Sequence, residues 1–270
     1  MDHSELGTRM KAYENCYRIY LPKRQAVIIR IDGRAFHSFT KGFDKPYDKV
    51  FAQAMQETTK QLCENIGGAK FAYTQSDEIS IVLTDYETIN TEPWFGNNLQ
   101  KIVSISASMA TFFFSNKFRY MLSEAFHDKN VTSEQLRTYY TAYSKKMPVF
   151  DARAFILPRE EVVNYFYWRQ LDCERNSIQA AGQANFSHKM LQNKNCNQIQ
   201  EMLFQEKSIN WARDYPAWFR NGIACYKKPT NIATPTGETV ERNKWYLDCN
   251  IPVFSTQPNF INKHIIFNKE

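Results

Sequence analysis

The chain has 270 residues, 43% of them apolar and 15% aromatic, which is enough for a sizeable core and too apolar for a disordered chain. Its formal charge of +6 and pI near 8.9 suit a polyanionic partner without requiring one. Six scattered cysteines without a C-x-x-C pair give neither zinc spacing nor a disulfide framework; the start from Met1 to Lys11 is too polar for a signal peptide, and the densest apolar patch, Met109 to Phe114, is too short to cross a membrane, so a cytoplasmic location is expected.

Ser4 is a candidate cap for a first helix, on which Leu6, Met10, Tyr13 and Tyr17 recur at helical spacing until Pro22 ends it. An apolar run from about Gln25 to Ile31 reads as a buried strand. A helix follows from near Asp48 to Asn65, with Phe51, Met55 and Leu62 on one face, stopped by Gly67-Gly68. Two short strands, about 70–75 and 79–84, flank Ser76-Asp77-Glu78, whose turn chemistry predicts a hairpin. A long helix spans Asn97 to Phe118, with Leu99, Ile102, Val103, Ser106, Ala110 and Phe113 as its expected buried stripe. A weaker helix covers 133–145, and Val149 to Ile156 forms a fourth strand.

From Arg159 the character changes. A helix over about 159–176 is expected to break at Ser177 and resume towards Leu191. A polar linker, Asn193 to Asn197, leads to a short helix ending near Phe204. Residues 216–248 hold two strand-like runs around the turn cluster Thr234-Pro235-Thr236-Gly237, and the tail with Pro252 and Pro258 reads as a surface strap. The expected division is 1–158 as one domain and 159–270 as a helical and β-hairpin extension packed on it.

The order of the first part is β-α-β-β-α-β, the ferredoxin-like split-βαβ plan of an α+β protein. In that plan the first strand lies beside the third in an antiparallel sheet. The carboxyl end of strand one and the turn between strands two and three then share one edge. Asp32 and Asp77 are therefore predicted to meet, although each alone reads as an ordinary turn residue.

Two carboxylates beside the carbonyls of an Asp-Gly turn make an oxygen-only pocket of the kind Mg²⁺ prefers, and two such ions could serve phosphoryl transfer. The amides of residues 33–36 could form an anion nest, with Gly33 leaving room for phosphate. Neither a P-loop nor a G-x-G-x-x-G fingerprint occurs, so phosphate charge falls to metal and to Arg34, Lys45 or Lys101, although solvated surface is the commoner role of any one lysine. His37 is a nucleotide contact or a packed residue; Glu78 is a third ligand or a hairpin residue facing water. No H-E-x-x-H or G-x-S-x-G is present.

Five blocks resemble the tRNA-histidine guanylyltransferase superfamily. They are Asp32-Gly33-Arg34-Ala35-Phe36-His37-Ser38-Phe39, Phe43-Asp44-Lys45-Pro46-Tyr47-Asp48, Ala72-Tyr73-Thr74-Gln75-Ser76-Asp77-Glu78, Phe150-Asp151-Ala152-Arg153, and Tyr167-Trp168-Arg169-Gln170-Leu171-Asp172-Cys173. The resemblance covers about residues 5–180. It implies a polymerase-palm-like domain that adds nucleotides to tRNA 5′ ends in the 3′-to-5′ direction. It also implies two Mg²⁺ ions on Asp32, the Gly33 carbonyl and Asp77; nucleotide contacts from Asp32, Gly33, Arg34, Ala35, Phe36, His37, Ser76 and Asp77; and triphosphate contacts from Lys45 and Lys101. Glu78 matches an acidic residue important for activity. ATP or GTP as activating substrates, NTPs, tRNA as partner and a homotetramer follow from the same resemblance.

One departure stands out. Where the guanylyltransferases carry HINNLYN, this chain reads Glu174-Arg175-Asn176-Ser177-Ile178-Gln179-Ala180. The resemblance is therefore nearer to the template-directed 3′–5′ polymerases that repair 5′-truncated tRNA, with single guanosine addition to histidine tRNA as the alternative. Rivals of other classes are a nucleotide cyclase, for which NTP alone suffices, and a non-catalytic RNA-binding module.

Overall fold

The computed structural model describes residues 4–128, 131–233 and 239–265. The elements in order are α1 (Glu5–Asn15), β1 (Ala26–Gly33), α2 (Phe36–Phe39), α3 (Lys49–Asn65), β2 (Ala69–Gln75), β3 (Glu78–Leu83), α4 (Leu99–His127), α5 (Ser133–Lys145) and β4 (Phe150–Leu157). They continue as α6 (Glu161–Asn185), α7 (His188–Leu191), α8 (Cys196–Lys207), α9 (Trp211–Asp214), α10 (Ala217–Asn221), β5 (Ile223–Ala233), β6 (Thr239–Asp248) and α11 (Asn259–Asn262).

All six strands form one antiparallel sheet in the order β4-β1-β3-β2-β5-β6. Its first four strands have the split-βαβ order expected from the sequence. The two carboxyl-terminal strands were not expected there: β5 pairs with β2, so the same sheet continues into the extension. The turn cluster at 234–237 lies outside the described residues.

β1 is apolar on both faces because both are covered. Val27, Ile29 and Ile31 point with Ala72, Ile79 and Ile81 towards α3 and α4, where Met55, Leu62, Ile102, Phe114 and Phe118 complete the core. Ile28 points with Phe71, Tyr73 and Val82 towards α6, meeting Val162 and Phe166. The tail is more than a surface strap: Ile251, Phe254, Phe260 and Ile261 are buried in this second core. Gln170 fastens it, accepting from the Phe254 amide at 2.6 Å and donating to the Pro252 carbonyl at 3.0 Å.

Three helix expectations need correction. α1 forms with Ser4 as its cap but ends at Asn15, well short of Pro22; none of its residues is buried, Leu6 remains 58% exposed, and Tyr17, beyond its end, 75%. Spacing places residues on one face without supplying anything to cover it. α4 runs on to His127, and its buried line is Ile102, Ser106, Ala110, Phe114, Phe118 and Leu122, with Val103 and Phe113 at its margin. α6 does not break at Ser177; that residue is buried, with its hydroxyl donating to the Glu174 carbonyl at 2.8 Å. All six cysteines are free, and no helix among the described residues is long and apolar enough to cross a membrane.

Candidate active site at the rim of the sheet

β1 delivers Asp32 to the rim where β2 turns into β3. Gln75 pairs with Glu78, so Ser76 and Asp77 alone make the turn, with Ser76 at φ 49°. The Gly33 amide donates to the Asp77 carbonyl at 3.1 Å, which locks the two chain segments together. A side chain at residue 33 would start 2.9 Å from Asp77 Oδ2 and 2.5 Å from the Phe36 ring, so glycine is required by that approach. The predicted meeting of Asp32 and Asp77 is what the sheet order produces.

The rim is electrostatically loaded. Burial, and then the Asp32 charge, push the Asp77 carboxyl up to about 6, against its own backbone amide, the Ser76 hydroxyl (3.1 Å from Oδ1) and His37. Two partly desolvated carboxylates that repel each other form a donor set suited to a hard cation. Among the described residues no three His, Cys, Asp or Glu side chains converge as a metal cluster. The chain thus offers Asp32, Asp77 and the Gly33 carbonyl, and fits Mg²⁺ only with water and substrate phosphates completing the shell.

Glu78 does not face water. It is 7% exposed and accepts from Arg169 Nη1 at 2.7 Å, with Arg30 Nε 3.8 Å away. Burial pushes its carboxyl up while Arg169 and Arg30 pull it down. Arg169 is 5% exposed and lies 3.7 Å over the Trp168 ring. Glu78 Oε1 and the Nε atoms of Arg30 and Arg169 are buried without a hydrogen-bond partner.

The other candidates divide. Arg34, Ala35 and His37 are exposed beside the rim, whereas Phe36 is a core residue whose ring packs on Phe39, Phe114 and Phe150 at 4.8–5.4 Å. Only its main chain could reach a nucleotide. The nest narrows too, since the Gly33 and Arg34 amides are already bonded to Asp77 and Val149 carbonyls. Lys45 and Ser76 come together along a cleft of about 250 Å³ that is also lined by Asp44, Tyr47, Asn176 and Trp218.

Lys101 is not brought to the site. It lies in the first turn of α4, which is tied through Asn97 and Asn98 to residues 20–22 before β1 begins. The level of Gly33 is reached ten residues later, where Thr111 accepts from the Phe150 amide, about 15 Å along the helix.

Three site neighbours went unrecognised as candidates in the sequence. Asp151 stands directly opposite Asp32 in the register of β4, exposed and 3.6 Å from Arg153. The signal existed, because strand four starts at the rim where strand one ends. The pairing of Arg30 and Arg169 with Glu78 left no local trace, since it spans 48 and 91 residues, although Arg169 lies in one of the five matched blocks.

The fold is that of an α+β protein with a palm-like antiparallel sheet, whose rim sets a carboxylate pair next to a cleft lined by a lysine and a serine. Comparison with known proteins narrows the class. The Thg1 (tRNAHis guanylyltransferase) family model matches residues 7–158, more than half the chain, and the chain belongs to that nucleotidyltransferase family. A bacterial tRNA(His) guanylyltransferase (Thg1)-like protein solved in complex with ATP is 43% identical with a TM-score of 0.80, the match covering 98% of this chain and 100% of that one. A bacterial Thg1-like structure in complex with GTP is 40% identical with a TM-score of 0.77, covering 97% and 100%. A probable tRNA(His) guanylyltransferase of Dictyostelium discoideum is 29% identical over 236 residues, 82% of this chain and 83% of that protein. An uncharacterised protein of Acanthamoeba polyphaga mimivirus is 28% identical over 233 residues, 83% and 77%.

Proposed function

We propose that the protein extends tRNA 5′ ends in the 3′-to-5′ direction against a template, repairing 5′-truncated tRNA. The observation that carries this reading is where the departure from HINNLYN falls. Asn176, Ser177 and Ala180 line the cleft, so two positions that are asparagine in the guanosine-adding motif present a hydroxyl and a methyl group to its wall. Addition of a single guanosine to histidine tRNA is the second reading, favoured by the family description and by the names of the relatives.

In this reading Asp32, Asp77 and the Gly33 carbonyl would hold two Mg²⁺ ions, which would lower the pKa of an attacking hydroxyl and neutralise a leaving pyrophosphate. The chain's own residues bind and orient. Lys45, Arg34 and Ser76 bind triphosphate oxygens, and Asp32 and Asp77 supply the negative field that admits the cations. Arg169 and Arg30 keep Glu78 from adding a third unpaired charge. A 5′-monophosphate oxygen attacks the α-phosphorus of ATP or GTP, forming a 5′–5′ phosphoanhydride and releasing pyrophosphate. The 3′-hydroxyl of the incoming NTP then attacks the 5′-phosphorus, its proton leaves to base, and the nucleoside monophosphate departs. A 5′-triphosphate end needs no activation: the same 3′-hydroxyl attacks its α-phosphorus and pyrophosphate departs.

The test is incubation with ATP, NTPs and a tRNA lacking its first 5′ nucleotide, with opposing bases varied. Templated extension across several bases is expected. Restriction to one guanosine on histidine tRNA would establish the second reading, and products from NTP alone would mark a cyclase.

A further inference from the structure

The cleft wall formed by residues 44–48 is fastened from outside by a helix that carries none of the charged site residues. Asp48 is 5% exposed and its carboxylate is fully engaged. Oδ1 accepts from the Phe51 amide at 2.9 Å, capping α3; Oδ2 accepts from the Asp44 amide at 3.2 Å and from the Tyr139 hydroxyl at 2.7 Å. Tyr139, on α5, is 3% exposed, with its ring edge-on to Phe43 at 4.9 Å. One turn earlier, Gln135 donates through Nε2 to both Asp44 carboxylate oxygens at 3.0 and 2.8 Å. Its own Oε1 takes the Thr132 amide at 2.8 Å, so the residue that closes the α5 capping box also reaches across to the loop.

Between the two anchored aspartates lie Lys45, Pro46 and Tyr47, all lining the cleft. Tyr47 meets the rings of Trp218 and Phe219 at 4.9 Å each, so this strip spans from α5 to α10. Burial and the neighbouring Asp48 carboxylate push the Tyr139 phenol far up, which keeps it a donor at every working pH. A strip held at both ends is ordered at folding, and a ligand that meets it does not have to order it.

We propose that Tyr139, through Asp48, and Gln135, through Asp44, are positioning residues for nucleotide binding, holding the strip so that Lys45 meets the phosphates. This rests on the nucleotide-binding reading above. Tyr139→Phe deletes only the hydroxyl and leaves the ring against Phe43. The dissociation constant for ATP is measured by calorimetry on the full chain for the parent protein, Tyr139→Phe, Lys45→Ala and the double variant. Tyr139→Phe is expected to weaken ATP at least about fivefold, and to cost less than about twofold once Lys45 is alanine, because the hydroxyl acts through the lysine. The KM for NTP should rise while kcat stays within about twofold.

ATP affinity unchanged by Tyr139→Phe overturns the proposal. So does equal weakening in both backgrounds, which is what a merely structural hydroxyl would give. Failure of the nucleotide reading looks different: the parent protein and Lys45→Ala then bind ATP equally, and the proposal falls with it. Gln135→Ala, at a half-buried position, runs the same cycle should Tyr139→Phe not fold.

Discussion

Asp77→Asn should make the protein more stable and inactive at once. In the folded chain burial, and secondly the Asp32 charge, push the Asp77 carboxyl up to about 6, well above the ordinary range of an aspartate. Below pH 4 the group is protonated folded or unfolded and contributes nothing. Between pH 4 and 6 the folded state holds the extra proton, so stability falls as pH rises. Above pH 6 the ionised side chain costs the folded state about 3 kcal/mol, less whatever solvent at the rim screens. Asparagine keeps the shape and drops the charge. The variant should therefore melt about 5 °C higher than the parent at pH 8 in chelator, given the unfolding entropy of a chain this size. The difference should close as pH falls to 4. Scanning fluorimetry from pH 4 to 8 reads this directly, and adding Mg²⁺ should raise only the parent's melting temperature. Nucleotide addition should disappear while tRNA binding persists. A variant that melts lower than the parent at pH 8, or a difference independent of pH, would refute the claim that Asp77 is held ionised against burial and a like charge.

Arg169→Met should destabilise by about 3–5 kcal/mol, because it leaves Glu78 buried with Arg30 as its remaining cation. The loss should grow with pH as the carboxyl ionises, and Glu78→Gln in the same background should recover part of it in denaturant titrations. Gly33→Ala should lower both the melting temperature and nucleotide affinity, since its methyl group would meet the Phe36 ring and Asp77 Oδ2; equal ATP affinity in calorimetry would show that the rim can relax.

Much of the site was legible because antiparallel pairing is a strong constraint. Once the order β-α-β-β-α-β was read from apolar runs and turns, the end of β1 and the Ser76-Asp77 turn had one edge to share, and Asp32 and Asp77 followed. Lys45 beside Ser76 on the cleft was within reach of the same reasoning, as both sit next to that edge. Asp151 could have been added by the same register.

Other features were closed to it. Lys101 looked near the site in chain order, but α4 traverses the sheet and begins at the far end. Phe36 sits in a motif with exposed neighbours, yet α2 turns its ring into the core. The spacing of α1 marked an apolar face, but none of that helix's residues is buried.

Chain-local physics, namely alternation, capping and turn chemistry, determined the first four strands and the longer helices, because each of these depends on residues within a few positions of one another; the pairing plan of those strands then followed from their order along the chain. Tertiary structure alone decided that β5 and β6 extend the sheet, that Arg169 neutralises Glu78 across 91 residues, and that Tyr139 and Gln135 grip the strip bearing Lys45. Those contacts join segments whose separation along the chain leaves no periodic trace, and only burial in a shared environment brings their charges and hydroxyls within bonding range.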